Sequence, residues 1–127
     1  MNTRQGAREL AKDIAERSPC CVQVGAVLSD NKGRIISWGW NHYDVNGSDR
    51  STTIHAEEHA ISRANPKRLR TGKVTLSLAG QWNKNNNLVY ARPCTDRCMP
   101  AAQKHGVDTI EYRNKDGSWK VLKLKYV

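Results

Sequence analysis

A mixed α/β fold built on a five-stranded sheet is what this sequence predicts, and three observations predict it. Five runs rich in Val, Ile, Leu, Thr, Trp and Tyr are separated by turn residues, and three stretches space apolar residues at helical intervals between charges. The last two strand runs are joined by Asn114-Lys115-Asp116-Gly117, which leaves no room for a helix and makes them a C-terminal antiparallel β-hairpin.

In chain order, Thr3–Glu16 places Leu10, Ile14 and several alanines on one side of an amphipathic helix that stops near Ser18-Pro19. Val22–Ser29 and Arg34–Asn41 are strands, and Asp30-Asn31-Lys32-Gly33 makes a hairpin their simplest connection. Trp38 and Trp40 fall on one face of the second strand and read as core ahead of the alternative, base-stacking. His42–Thr53, with Asn46-Gly47-Ser48-Asp49 inside it, has turn chemistry and reads as a loop. The pattern is helical from Ile54 to about Ala64, where Asn65-Pro66 ends it. Lys73–Ala79 is a strand, Gly80–Asn87 a loop, Leu88–Ala91 a short extended segment and Cys98–His105 a helix. Val107–Tyr112 and Trp119–Tyr126 form the final hairpin.

At 127 residues the chain is expected to fold as one domain spanning 1–127, without repeats or linkers. No apolar run approaches the roughly 20 residues of a membrane span. Met1–Arg17 lacks the apolar segment of a signal peptide, so an intracellular, cytoplasmic protein with no membrane partner is expected. Lys and Arg number 21 against 12 Asp and Glu, a net charge of +9. Such a surplus favours phosphate-bearing partners, whether a polymer or a mononucleotide.

The chemistry gathers between His55-Ala56-Glu57-Glu58-His59 and Pro93-Cys94-Thr95-Asp96-Arg97-Cys98. One imidazole and two thiolates suit Zn2+, and three protein ligands, His55, Cys94 and Cys98, leave the fourth position open for water. Such a water has a pKa near 7, and Glu57 is the acid/base it needs. Ligands so far apart cannot form a local zinc finger; two helix N-termini, near His55 and near Cys98, would bring them together with positive dipole ends beside the thiolates. Pro100 fits only the first turn of a helix, so the helix should begin after Cys94. Cys20 and Cys21 read as buried thiols. Trp82 and Tyr90 flank an Asn-rich loop just before these cysteines and are candidates for stacking on a base. Lys67, Arg68, Arg70 and Lys73 read equally as a phosphate track or as a solvated connection.

These motifs resemble the zinc-dependent cytidine/deoxycytidylate deaminase superfamily, whose signature is H-x-E followed by P-C-x-x-C. The likeness extends over Arg17-Ser18-Pro19-Cys20, Gln23-Val24-Gly25-Ala26-Val27 and Gly39-Trp40-Asn41 as well. It implies a three-layer α/β/α cytidine-deaminase-like fold, zinc on His55, Cys94 and Cys98, and Glu57 as proton shuttle. It further implies Asn41 against the substrate sugar and the backbone near Ala56 against the pyrimidine edge. Two features depart from the pattern: three residues separate Cys94 from Cys98 instead of two, and the C-terminal hairpin replaces the helix found before a parallel last strand in one branch of the superfamily.

The resulting expectation is a hydrolytic deaminase converting cytosine to uracil, in single-stranded DNA or RNA, with a cytidine or deoxycytidylate mononucleotide as the alternative and a homo-oligomer compatible with either. Adenosine deamination in RNA is a further alternative. So is a non-catalytic zinc module, closed by His59, Cys20 or Cys21 as a fourth ligand. His55-Ala56-Glu57-Glu58-His59 also satisfies H-x-x-E-H, an inverted zinc-peptidase motif, but that reading leaves Cys94 and Cys98 without a purpose.

Overall fold

The computed structural model describes residues 3–43, 53–70, 73–91 and 98–124. Their elements run α1 (Thr3–Ala15), β1 (Val22–Ser29), β2 (Ile35–Trp40), β3 (His42–Tyr43), β4 (Thr53–Ile54), α2 (Ala56–Arg63), α3 (Pro66–Leu69), β5 (Val74–Trp82), β6 (Leu88–Val89), α4 (Cys98–Lys104), β7 (Val107–Arg113) and β8 (Trp119–Lys123). One mixed sheet, ordered β2-β1-β5-β7-β8 with β6 added beside β5, carries the fold. Both expected hairpins form, β1 with β2 and β7 with β8, and among the described residues only β5 and β7 run parallel.

Small residues set the layer spacing. On one face Ala7 and Ala11 of α1 pack on Val27 and Ala79, and a Cβ at Gly25 would run into the α1 backbone at Ala11 and Ala15. On the other face Ala56, Ala60 and Ala64 of α2, Leu69 of α3 and Ala102 of α4 bury Leu28, Leu76, Leu78, Ile110 and Tyr112. A Cβ at Gly39 would run into α2 at Ala56 and Ala60, so β2 and α2 touch backbone to backbone. The molecule is therefore the expected α/β/α sandwich, with α1 the one helix on its side among the described residues.

The face under α1 is unusually polar for a sheet interior. Gln81 Nε2 donates to Gln23 Oε1 at 3.0 Å, and Gln23 Nε2 donates to the Ser18 carbonyl at 2.8 Å. Glu111, with no solvent exposure, accepts from Ser77 Oγ at 2.7 Å and from the Arg8 guanidinium at 3.0 Å. Gln23, Gln81 and the Glu111 carboxylate thus find partners in place of water, while Arg8 Nε is buried without one among the described residues.

Four details differ from the sequence expectation. β5 continues through Gly80, Gln81 and Trp82 where a loop was expected, because these residues are paired to β1 on one side and Gly80 and Gln81 to β6 on the other. Backbone bonding on both flanks overrides the turn preference of Gly. The ends of the expected loop 42–53 pair with each other, His42 opposite Ile54 and Tyr43 opposite Thr53. Asn65-Pro66 does more than stop α2: the Asn65 side chain accepts the Lys67 N–H at 3.0 Å and Pro66 opens α3, a cap and first-turn proline in sequence. Finally, Cys20 is buried as expected but Cys21 is exposed, since they alternate at the entry to β1.

Candidate active site

Strand β2 is followed by Asn41, whose amide bonds twice to β1. Its Oδ1 accepts the Val24 N–H at 2.8 Å and its Nδ2 donates to the Val22 carbonyl at 2.7 Å. The amide is thereby held like one more rung of the sheet, with one N–H and one lone pair left to aim outward. Val22 in turn lies opposite Trp82 in the β1–β5 ladder, so Asn41 and Trp82 occupy the same end of the sheet.

At this end the β3–β4 ribbon delivers the chain to His55, the N-cap of α2, with extended backbone at φ −73° and ψ 152°. Glu58 reaches back three residues and accepts the His55 backbone N–H at 3.1 Å. Glu58 therefore fixes the start of α2 as the N3 member of a capping box with His55. Ala56 and Glu57 follow in the first turn and are buried, with 1% and 6% exposure. A carboxylate here faces free backbone N–H groups and the positive end of the helix.

α4 opens at Cys98, beside α2 on the same face of the sheet, with Pro100 in its first turn as expected. Cys94 and the Cys98 side chain lie outside the described residues. Ala91, at the end of the β6 approach, donates its N–H to the Arg113 carbonyl at 3.2 Å.

His59, one turn beyond His55, is committed to packing. Its Nδ1 accepts the Trp40 backbone N–H at 3.2 Å, and its ring meets Trp40 and His42 edge-on at centroid distances of 4.7 and 4.6 Å. Burial, with the His42 ring and the Arg63 guanidinium close by, holds its imidazole below the ordinary histidine range. A neutral ring accepting at Nδ1 carries its proton on Nε2 and has no lone pair for a metal. That removes the support for the H-x-x-E-H reading and for His59 as a fourth zinc ligand.

Trp82 and Tyr90 are 42% and 48% exposed. Both are anchored while their rings face solvent. The Trp82 N–H donates to the Asn87 carbonyl and its carbonyl accepts from Asn86, each at 2.8 Å, with Asn86 in the left-handed region at φ 59°. Lys84 Nζ lies 6.0 Å from the Trp82 ring centre, and Tyr90 stacks edge-on against buried Tyr112 at 5.4 Å. The structure thus brings His55, Ala56, Glu57, Asn41, Trp82 and Tyr90 to one end of the sheet.

Sequence reasoning missed the cations around the β2 tryptophans. Trp38 and Trp40, read as core, are only partly buried. Arg63 of α2 lies over both rings at 5.1 and 5.6 Å, and Arg17 after α1 lies over Trp40 at 5.5 Å. No local pattern announces contacts that join three separate elements.

His55 at the N-cap of α2 and Cys98 at the start of α4 stand on one sheet face with the buried Glu57 carboxylate in the first turn, and imidazole and thiol are donor types that suit zinc. The comparisons agree. A family model, the cytidine and deoxycytidylate deaminase zinc-binding region, matches residues 1–113. The chain belongs to this zinc-binding deaminase family. Among solved structures, cytidine deaminase from Burkholderia pseudomallei superposes with a TM-score of 0.68 at 19% identity, over 94% of this chain and 91% of that one. The apo dCMP deaminase from the cyanophage S-TIM5 superposes with a TM-score of 0.63 at 22% identity, over 87% and 82%. These likenesses bear out the fold. A search of curated proteins returned no match.

Proposed function

We propose that the protein is a zinc-dependent hydrolytic deaminase acting on cytosine, and that its substrate is cytosine within single-stranded nucleic acid. The observation that carries the reaction is the burial of Glu57 in the first turn of α2, two residues after the N-cap His55 and beside the helix that Cys98 opens. His55, Cys94 and Cys98 would hold the metal. When bound, zinc supplies a Lewis acid that makes hydroxide available near neutral pH.

This chain's own groups do the rest. Glu57 takes the proton of the attacking water and passes it to the departing amino group, so cytosine and water become uracil and ammonia. Burial shields that carboxylate from bulk water. The backbone at Ala56 orients the pyrimidine edge, and the outward N–H and lone pair of Asn41 meet the sugar. Trp82 and Tyr90 offer exposed rings on which a base of the substrate strand stacks.

The polynucleotide reading is favoured by these exposed rings, by Lys84 beside Trp82, and by the charge of +9. The mononucleotide alternative is favoured by a neighbouring structure, since the S-TIM5 dCMP deaminase is also solved with dCMP and dUMP and superposes here with a TM-score of 0.61. The deciding experiment is a side-by-side assay of the zinc-loaded protein on cytidine, deoxycytidylate and a cytosine-containing single-stranded oligonucleotide, with product read by mass. Uracil formed in the oligonucleotide supports the polynucleotide reading. Turnover confined to deoxycytidylate or cytidine replaces it with the alternative, and no turnover on any substrate ends the deaminase reading.

A further inference from the structure

The outer edge of the sheet at β2 carries chemistry that conversion of a lone cytosine does not require. Arg17 and Arg63 lie over the indoles of Trp38 and Trp40, and neither guanidinium pairs with a described carboxylate. A guanidinium stacked on an indole is held in place with its in-plane N–H donors directed outward, an arrangement that suits phosphate. The two polar backbone groups of Trp40 are already capped, the N–H by His59 Nδ1 at 3.2 Å and the carbonyl by the His42 ring at 2.8 Å. This edge is therefore closed to strand addition at Trp40 while its side chains remain displayed.

Beside these groups lies a cavity of about 440 Å³ lined by Arg17, Pro19, Trp40, His42, Tyr43 and His59, within the range of about 300–1,000 Å³ typical of ligand pockets. It adjoins the catalytic end from two directions. His42 pairs with Ile54, the residue before His55, and His59 donates its backbone N–H to the His55 carbonyl at 3.0 Å, one turn along α2. One helical turn is about 5.4 Å, comparable to the step between successive nucleotides in an extended strand.

We infer that this cavity and the Arg17–Trp40–Arg63–Trp38 edge form a subsite for the nucleotide next to the target cytosine, with the arginines on its phosphates and Trp40 and Tyr43 against its base. The inference rests on the reading that the site takes cytosine in a single strand. A mononucleotide has no second residue to place there.

The test is binding, separate from turnover. Anisotropy of a labelled thymidine-only oligonucleotide on the zinc-loaded full chain is measured between about 50 and 300 mM salt. The probe has no cytosine, so it reads the strand-binding surface alone. Three proteins are compared: the unaltered chain, Arg17→Gln/Arg63→Gln, and Lys115→Gln/Lys120→Gln, which removes the same charge near the opposite sheet edge. The arginine pair should weaken binding at least about tenfold at the lowest salt and make the log–log salt slope shallower by roughly 1.4, while the lysine pair changes affinity less than about threefold. Arg63→Lys should recover part of the salt slope without the full affinity. Quenching of tryptophan fluorescence on binding should shrink in Trp40→Leu, which keeps both arginines.

Equal losses from the two double variants would overturn the subsite, as would an oligonucleotide affinity indifferent to both. Uracil formation by the unaltered protein reads the catalytic claim independently. Turnover with arginine-insensitive binding sinks the subsite alone, and arginine-dependent binding without turnover on any substrate keeps the surface and sinks the deaminase.

Discussion

Nδ1 of His59 accepts the backbone N–H of Trp40 at 3.2 Å, and through that bond the helix capped by His55 is tied to the edge strand that ends at Trp40. Ser37 Oγ adds a second tie, donating to the Ala60 carbonyl at 2.7 Å. The positions of the His55 imidazole and the Glu57 carboxylate follow from how α2 is seated on β2.

Gly39→Ala tests that seating. The added Cβ meets the α2 backbone at Ala56 and Ala60, and a backbone cannot rotate away as a side chain can. The loss of stability should reach about 3 kcal/mol, the upper end of the usual overpacking range. Gly25→Ala collides with α1 to a similar degree on the opposite face. Chemical denaturation should show both losses, but uracil formation per folded molecule should fall only for Gly39→Ala.

Protonation of His59 should cost stability in mild acid. Its folded pKa lies below the ordinary value of 6.5, so between the two values the unfolded chain binds more protons. The stabilisation is complete above about pH 6.5 and is lost as the pH falls below it. His59→Asn keeps an acceptor for Trp40 and removes the titration. The difference in denaturation midpoint between the unaltered chain and this variant should narrow or reverse in the variant's favour from about pH 7.5 to about pH 5.5. Parallel curves over that interval would remove His59 from the explanation.

Asn41 separates a packing role from a binding role. Asn41→Asp keeps the acceptor for the Val24 N–H but sets a second oxygen against the Val22 carbonyl, where Nδ2 now donates at 2.7 Å. A loss of about 1–3 kcal/mol is expected at neutral pH, easing as the carboxyl protonates in acid. If Asn41 also holds the sugar, KM should rise by more than kcat falls. A stability change with unaltered KM would confine it to packing.

Much of this was legible in the chain because alternation and helical spacing report directly on which face is buried. The β1–β2 and β7–β8 hairpins, α1, α2 and the start of α4 follow from that periodicity and from Asp30-Asn31-Lys32-Gly33, Asp116-Gly117 and Pro100. What escaped was tertiary. The extension of β5 through Gly80 and Gln81 depends on strands pairing from both sides, and the Arg8–Glu111–Ser77 cluster joins residues far apart in sequence. The placement of His55 and Glu57 at the start of α2 was readable because helix-start chemistry is local. The arginines over Trp38 and Trp40 were not, because cation and ring come from different elements.

The polar face under α1 should matter for folding and not for catalysis. Arg8→Ala leaves the Glu111 carboxylate buried without its cation, which costs about 3–5 kcal/mol. Arg8→Met with Glu111→Leu should cost much less, because no buried charge remains. Thermal denaturation distinguishes the two, and the zinc content of the folded fraction should be unchanged in both.

The most direct test of the central claim is a paired measurement of zinc content and uracil formation for the unaltered protein and for Glu57→Gln. The account predicts equal zinc, an unchanged fold, and a loss of at least about 100-fold in turnover, the scale of a missing proton shuttle. A zinc-loaded Glu57→Gln variant that deaminates within a few fold of the unaltered protein would contradict it, as would an unaltered protein that binds no zinc.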